Sequence, residues 1–382
     1  MKEIYLDNAA TTQVDKNVIK AMIPFFKEKY GNASSLHLKG EEAKRALEES
    51  RKVIAKRINA KHHEIIFTSS GTEANNFVIK GLFFSNKNKN KNHIVTTKIE
   101  HDCVLNACRW IESLGGKITY LDVNENGFVN PKDIEKAINE KTFLVSIIHG
   151  NNEIGTIQNL RKIGEVCRKK GVLFHTDACQ SFTKVSINVK KDNVDLMTLN
   201  AHKIHGPKGV GALYIKSGIK ITPLLHGGGQ EFKLRSSTEN IPGIVGFAKA
   251  VKITKNSDIK KMKKLRDYFI SKLLEIPDTR LNGAEGNQRL CNNINISFKN
   301  IEGESLGSFL NARGIFTSTG SACSSKNLEP SHVLLALGLN PIEANSSIRI
   351  SLSKYTTKEE VDYAVNEIKK IVKKLRKISP LV

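Results

Sequence analysis

Aromatic residues are scarce in this chain, at 6% of 382 residues, with a single tryptophan. No basic patch interleaved with aromatics occurs, so the means of stacking on bases is missing. Acidic residues are also in short supply: 38 Asp+Glu face 60 Lys+Arg, a net charge of +22. The basic residues are scattered along the chain and read as solvated helix faces. Direct nucleic-acid binding is therefore not expected. The six cysteines form no CxxC pair and no zinc-finger spacing with histidine, so neither a metal site nor a disulfide framework is expected. No apolar run reaches membrane-spanning length, and Met-Lys-Glu-Ile-Tyr-Leu-Asp does not read as a signal peptide. A cytoplasmic protein without a membrane partner is the expectation.

What is present is a hydrophobic content of 39%, enough for a large domain and a smaller one. Short apolar runs alternate with helical patterns from about residue 64 to residue 215. That alternation predicts an α/β fold with a mostly parallel central sheet covered by helices. One long helix is expected from about Pro242 to Leu274. After Pro277 the pattern changes to a smaller α+β unit. The expected division is 13–257 for a large cofactor-binding domain, and 1–12 plus 258–382 for the small one.

In a parallel sheet the C-terminal strand ends share one edge, where ligands bind. The predicted strands place Gly71, Thr72, His101, Asn152, Asp177 and Gln180 along that edge. Two adjacent strands, Leu196–Leu199 and Val210–Ile215, deliver Lys203. A lysine between apolar strands is desolvated and becomes a usable nucleophile, although a solvated hairpin lysine fits the same stretch. Gly71 and Thr72 open a helix after a Ser/Gly turn, a pattern that suits an anion or a plain helix cap. Asp177 suits a ligand contact or an N-cap. A Lys, an Asp, a His and a phosphate-type turn at one edge meet the needs of pyridoxal 5'-phosphate.

Two residues in the small unit stand out. Cys323 lies in a Ser-, Thr- and Gly-rich stretch that predicts an exposed, moving loop, where a thiolate could attack a substrate sulfur. An accidental exposed cysteine is the other reading. The remaining five cysteines are expected to pack in the core. Arg349 sits mid-strand between apolar neighbours and needs an anionic partner, either a substrate carboxylate or a structural salt bridge.

Ten short stretches carry a resemblance. They include Tyr5-Leu-Asp-Asn-Ala-Ala-Thr-Thr12, Phe67-Thr-Ser-Ser-Gly-Thr-Glu73, Asn151-Asn-Glu-Ile-Gly155, Asp177-Ala-Cys-Gln180, Ala201-His-Lys-Ile-His-Gly206, Thr238-Glu-Asn-Ile-Pro-Gly243, Gly320-Ser-Ala-Cys323 and Ser347-Ile-Arg-Ile-Ser351. In this order, nearly end to end, the sequence resembles the NifS/IscS-type cysteine desulfurases, fold-type-I pyridoxal-phosphate enzymes related to class V aminotransferases.

The resemblance implies roles. Lys203 holds the cofactor and shuttles protons. Asp177 pairs with the pyridine nitrogen and Gln180 with the ring oxygen, while His101 stacks over the ring. Gly71, Thr72 and His202 bind phosphate. Asn152, also a cofactor contact, and Arg349 orient the carboxylate of L-cysteine, and Cys323 carries the persulfide. Thr238 reaches the phosphate of the other subunit, which implies a homodimer. A sulfur acceptor, either an iron–sulfur scaffold or a tRNA-thiolation protein, is the implied partner. Two positions depart from the family pattern. Asn200 stands where a phosphate-binding serine is usual, and Ser237 replaces a glycine before Thr238. A class V aminotransferase or a selenocysteine lyase is the alternative enzyme. A non-catalytic sulfur-relay or nucleic-acid-binding protein would leave Lys203, Asp177 and Arg349 without a role.

Overall fold

The computed structural model describes residues 3–86, 90–319 and 329–379. The first half runs through β1 (Ile4–Tyr5), α1 (Lys16–Met22), α2 (Pro24–Lys27), α3 (Leu38–Arg57), β2 (Ile65–Thr68) and α4 (Gly71–Asn86). Strands and helices then alternate: β3 (His93–Thr97), α5 (Asp102–Ser113), β4 (Lys117–Leu121), α6 (Pro131–Ala137), β5 (Thr142–Ser146), α7 (Leu160–Lys170), β6 (Leu173–Asp177), β7 (Leu196–Asn200) and β8 (Gly211–Ile215). These strands form a seven-stranded sheet in the order β2-β8-β7-β6-β5-β3-β4. Only β8 opposes its neighbours; β3–β4, β3–β5, β5–β6 and β6–β7 are parallel. The expected α/β fold is thus the observed one. Strands such as β2, β5 and β7 are buried at every residue, which is why they read as continuous apolar runs.

Helix ends follow local chemistry. Asn130 and Asn159 cap α6 and α7 through their side chains, and Gly171 closes α7 in the left-handed region at φ 66°.

The expected single helix from Pro242 to Leu274 is two: α8 (Ile241–Ile253) and α9 (Asn256–Leu274). Thr254 and Lys255 are extended, and the Asp258 carboxylate accepts from the Lys255 N–H to restart the helix. Apolar periodicity runs through such a break unchanged, because both helices bury one face. Beyond α9 come β9 (Thr279–Leu281), β10 (Asn293–Phe298), α10 (Gly303–Asn311), β11 (Ile315–Phe316), α11 (His332–Ala336), α12 (Pro341–Asn345), β12 (Ser347–Ser351) and α13 (Lys358–Ile378). Strands β12, β10 and β9 form an antiparallel sheet, and β1 pairs in parallel with β11. The N-terminal strand is two residues long, too short for any periodic signal.

The packed core falls into separate clusters. Ile4, Leu6, Phe269, Ile296, Ile350 and Val365 belong to one that draws only on the chain's two ends. Val18, Val145, Met197 and Phe247 belong to another under the seven-stranded sheet. A small cluster joins Ile99, Ile148 and Ile154 to Val333, Leu334 and Leu337.

Candidate active site

Every strand that leads into the site ends on the same edge. The turn from β2 to α4 brings Gly71, whose missing side chain matters: a Cβ there would lie 2.6 Å from Cys179 Sγ and 3.6 Å from Asn200 Nδ2. Glu73 N–H caps on Ser70 Oγ, which leaves Thr72 exposed beside the turn. After β3, His101 caps α5 by accepting from the Cys103 N–H at 3.1 Å. After β6, Asp177 is buried; its Oδ2 accepts from Asn75 Nδ2 at 2.7 Å and its Oδ1 from the Cys179 N–H at 2.8 Å. Gln180 is buried and donates to the Ala9 carbonyl.

Lys203 sits in the loop between β7 and β8. Gly206 folds back so that its N–H donates to the Ala201 carbonyl; a Cβ on it would strike that carbonyl at 2.8 Å. Thr12 clamps the loop from outside. Its hydroxyl donates to the His202 carbonyl and accepts from the His205 N–H, each at 2.8 Å. His205 holds φ at +64°, strained for a residue with a side chain, and its Nδ1 bonds the Gln13 carbonyl. Lys203 is half-buried. Its charge reaches His101, Cys103, Cys179, Lys184 and His202, which gathers these groups around one point.

At the far side, Arg349 is buried in β12. Nη2 pairs with Asp7 Oδ1 at 2.9 Å and Nη1 donates to the Asn152 carbonyl at 3.3 Å. Both sequence readings of Arg349 therefore have a basis: a salt bridge exists, yet Arg349 Nε and the adjacent Asn152 Oδ1 are buried without a partner. A buried, unpaired donor is costly and marks a place for an acceptor. Arg349→Lys keeps the charge facing Asp7 but loses the planar fork. If the acceptor is a substrate carboxylate, KM should rise about 10- to 100-fold with kcat less affected, read from steady-state kinetics.

Burial sets the ionisation of the site. His149 and His175 are fully enclosed, and burial lowers their pKa to about 3 and about 4. His202 and His205 are lowered to about 4, first by burial and then, for His202, by the Lys203 charge. All four are neutral in the folded protein at neutral pH. The unfolded chain binds protons below its ordinary histidine pKa of 6.5, so stability is lost as pH falls from about 6.5 towards about 4. Glu100, raised to about 8 by burial, and Glu153, also raised, act in the opposite direction above 4.5. Four histidines outweigh two carboxyls in the window they share. The cofactor-free protein should melt at a lower temperature at pH 5 than at pH 7; a melt unchanged between them would contradict these burials.

Several neighbours were not singled out from sequence. Cys103 packs against a hydrophobic cluster as expected, but it is only half-buried, with Sγ 3.1 Å from both His101 Nδ1 and Asn75 Nδ2. Cys108, Cys167, Cys179 and Cys291 are buried as expected. Asn75 lies one helical turn after Gly71, a spacing that could have flagged it. Lys184, lowered to about 8 chiefly by burial, adds a second lysine and donates to the Gln180 carbonyl. Thr238 is exposed, and among the described residues no hydrogen bond joins it to the cluster of its own chain. Cys323 lies outside the described residues.

The class-V aminotransferase profile matches residues 4–364. The chain belongs to the class-V aminotransferase family. Within it, the chain is 50% identical to cysteine desulfurase IscS of Dictyoglomus turgidum, covering 99% of this chain and 97% of that one. It is 49% identical to cysteine desulfurase IscS of Methanosarcina thermophila, covering 100% and 94%. Among solved structures, a NifS-like protein matches with a TM-score of 0.91 at 40% identity over 97% of this chain and all of the other. SspA in complex with cysteine matches with a TM-score of 0.84 at 38% identity, covering 93% and 100%.

Class-V aminotransferase enzymes of this kind depend on pyridoxal phosphate, and the residues fit that group. Asn200 Nδ2, an amide donor, lies beside the Gly71 turn, where only a glycine leaves room. His202 bonds Thr11 Oγ1 at the same place. A buried carboxylate, Asp177, and the half-buried Lys203 both act on Cys179. An anion cradle, a carboxylate for a ring nitrogen and an amine for an aldehyde are what the cofactor's three ends require.

Proposed function

We propose that this protein is a cysteine desulfurase that converts L-cysteine to L-alanine and transfers the sulfur to Cys323 as a persulfide. The buried, unsatisfied donor Arg349 Nε carries the reading, because it suits the carboxylate of an amino acid. The identity to cysteine desulfurases over nearly the full chain supports it.

In this reading Gly71, Thr72, Asn200 and His202 hold the cofactor phosphate, Asp177 faces the ring nitrogen and Gln180 the ring oxygen. Bound pyridoxal phosphate supplies an electron sink for the pair left when a Cα–H bond breaks. Lys203 anchors the cofactor when idle and, once free, its amine takes the Cα proton. Arg349 and Asn152 would fix the substrate carboxylate, and His101 would lie against the ring and handle a proton through its Nε2. Cys323 supplies a thiolate whose sulfur bonds the substrate sulfur. The substrate's carbon–sulfur bond breaks, and the carbon skeleton leaves as alanine after Cβ takes up a proton and Cα regains the one removed. Glu100, held protonated by burial, adds no charge against Asp177.

The chain divides in this reading into a large cofactor-binding domain, 13–257, and a small domain of 1–12 plus 258–382. The core cluster built only from the two chain ends supports the division. A homodimer accounts for Thr238, which would complete the phosphate site of the partner subunit. It also accounts for Phe26, Tyr30, Leu36 and Leu38, large apolar side chains at 64%, 69%, 96% and 83% exposure. Among the described residues no helix is long and apolar enough to cross a membrane. We place the protein in the cytoplasm, supplying sulfur to an iron–sulfur scaffold or a tRNA-thiolation protein.

The test is product analysis with L-cysteine as sole substrate. Alanine forming together with sulfide in the presence of a thiol reductant supports the desulfurase. Alanine appearing only when a keto acid is supplied, without sulfide, would make the protein an aminotransferase.

A further inference from the structure

The mechanism gives Cys103 no role, yet its thiol lies against two polar groups of the site. Sγ lies 3.1 Å from His101 Nδ1 and 3.1 Å from Asn75 Nδ2, and Thr72 is a further hydrogen-bonding neighbour. Asn75 is fully buried and donates to Asp177 Oδ2 at 2.7 Å. A carboxylate accepts only from the amide N–H side, so Asp177 fixes which way the Asn75 amide faces. The second hydrogen of that amide then points at Cys103 Sγ. A sulfur that receives a hydrogen from Asn75 must turn its own hydrogen elsewhere. Of its other two neighbours, the Thr72 hydroxyl and His101 Nδ1, the imidazole nitrogen is the stronger acceptor.

His101 Nδ1 is already an acceptor. It takes the Cys103 backbone N–H at 3.1 Å as the cap of α5, so it carries its lone pair and not a proton. The thiol hydrogen can share that single lone pair with the backbone N–H in a three-centre bond, and the two ends of the chain Asp177–Asn75–Cys103–His101 agree in direction.

We propose that Cys103 is a positioning residue whose thiol, oriented by Asn75 and Asp177, donates to His101 Nδ1 and holds the imidazole as its neutral Nε2–H tautomer. The inference rests on the reading of His101 as the residue that lies against the ring. It gives the ring-facing imidazole one defined role, since only Nε2 is left to donate to cofactor or substrate. A hydrogen bond to the neutral form disfavours the charged one. The thiol thus adds to what burial and the Lys203 charge already do to His101, whose pKa is lowered, against the opposing charges of Asp177 and Asp102; His332 acts with Lys203. The thiol stays protonated throughout, because burial and Asp177 raise Cys103 to about 12.

The experiment is a nitrogen-15 NMR titration of histidine-labelled protein free of cofactor, with the His101 signals assigned by their loss in His101→Gln. Wild type should show Nδ1 unprotonated and Nε2 protonated at neutral pH. In Cys103→Ala the His101 pKa should rise by about 0.4–1 pH unit, the worth of one neutral hydrogen bond. Cys103→Ser, which can donate and accept in the same places, should restore most of the difference. A proton on Nδ1 in the wild type overturns the proposal without any variant. So does an unchanged pKa in Cys103→Ala, or an equal shift in both variants, which would leave the thiol as packing alone. Because no cofactor or substrate is present, failure of the desulfurase reading would show separately, as absence of alanine from L-cysteine.

Discussion

Replacing Cys323 by serine should leave a protein that binds its cofactor and keeps its yellow colour, while sulfide release from L-cysteine falls by on the order of 10³-fold or more. A serine hydroxyl is a far poorer nucleophile towards sulfur than a thiolate, and at neutral pH it is not ionised. The cofactor contacts proposed here lie on other segments: Gly71 and Thr72 at the start of α4, Asp177 at the end of β6, and Asn200 to Lys203 after β7. None of them depends on position 323. Colour and turnover should therefore separate cleanly in the one variant, measured by absorption and by sulfide trapping on the same sample. Sulfide release at the wild-type rate would remove Cys323 from the mechanism and, with it, the persulfide route.

Lys203→Ala should have the complementary effect. The visible absorption of the lysine-bound cofactor should vanish, and alanine production should fall by on the order of 10³-fold or more, since both the anchor and the proton-carrying amine are lost. The structure supplies its own control. Lys184 is the other lysine in the same site, with Nζ bonded to the Gln180 carbonyl at 2.9 Å. Lys184→Ala should retain the visible band. If the band survives Lys203→Ala and disappears in Lys184→Ala, the anchoring lysine has been misassigned.

The central sheet was legible from sequence because its strands are short, fully buried and separated by amphipathic helices. β5 and β7 carry apolar residues at three of five positions and so announce themselves. The small sheets were harder. β1 and β11 are two residues each and pair across more than 300 positions, so no local pattern could have joined Ile4 to Ile315. The break between α8 and α9 was invisible for a related reason: both helices face a core, and only the capping at Lys255 and Asp258 separates them.

For the site, the residues at strand ends were accessible because a parallel sheet brings its C-terminal ends to one edge. Residues that act through neighbours were not. Cys103 looked like helix packing because it sits near the start of an amphipathic helix. Its contact with Asn75, 28 residues away, exists only once α4 and α5 pack side by side. Asp7 was inside a quoted stretch, but its pairing with Arg349 spans 342 residues and needed the fold. Asn200, the departure beside the Gly71 turn, is buried with its Oδ1 unpaired.

The most direct measurement is a single-turnover reaction of the cofactor-loaded protein with L-cysteine in the absence of reductant or acceptor. Alanine would be quantified and the peptide containing Cys323 examined by mass spectrometry. The account predicts one alanine per active site and a mass gain of one sulfur atom on Cys323, removed by a thiol reductant. Alanine formed with no added sulfur on Cys323, or sulfur carried instead by Cys103, would contradict it.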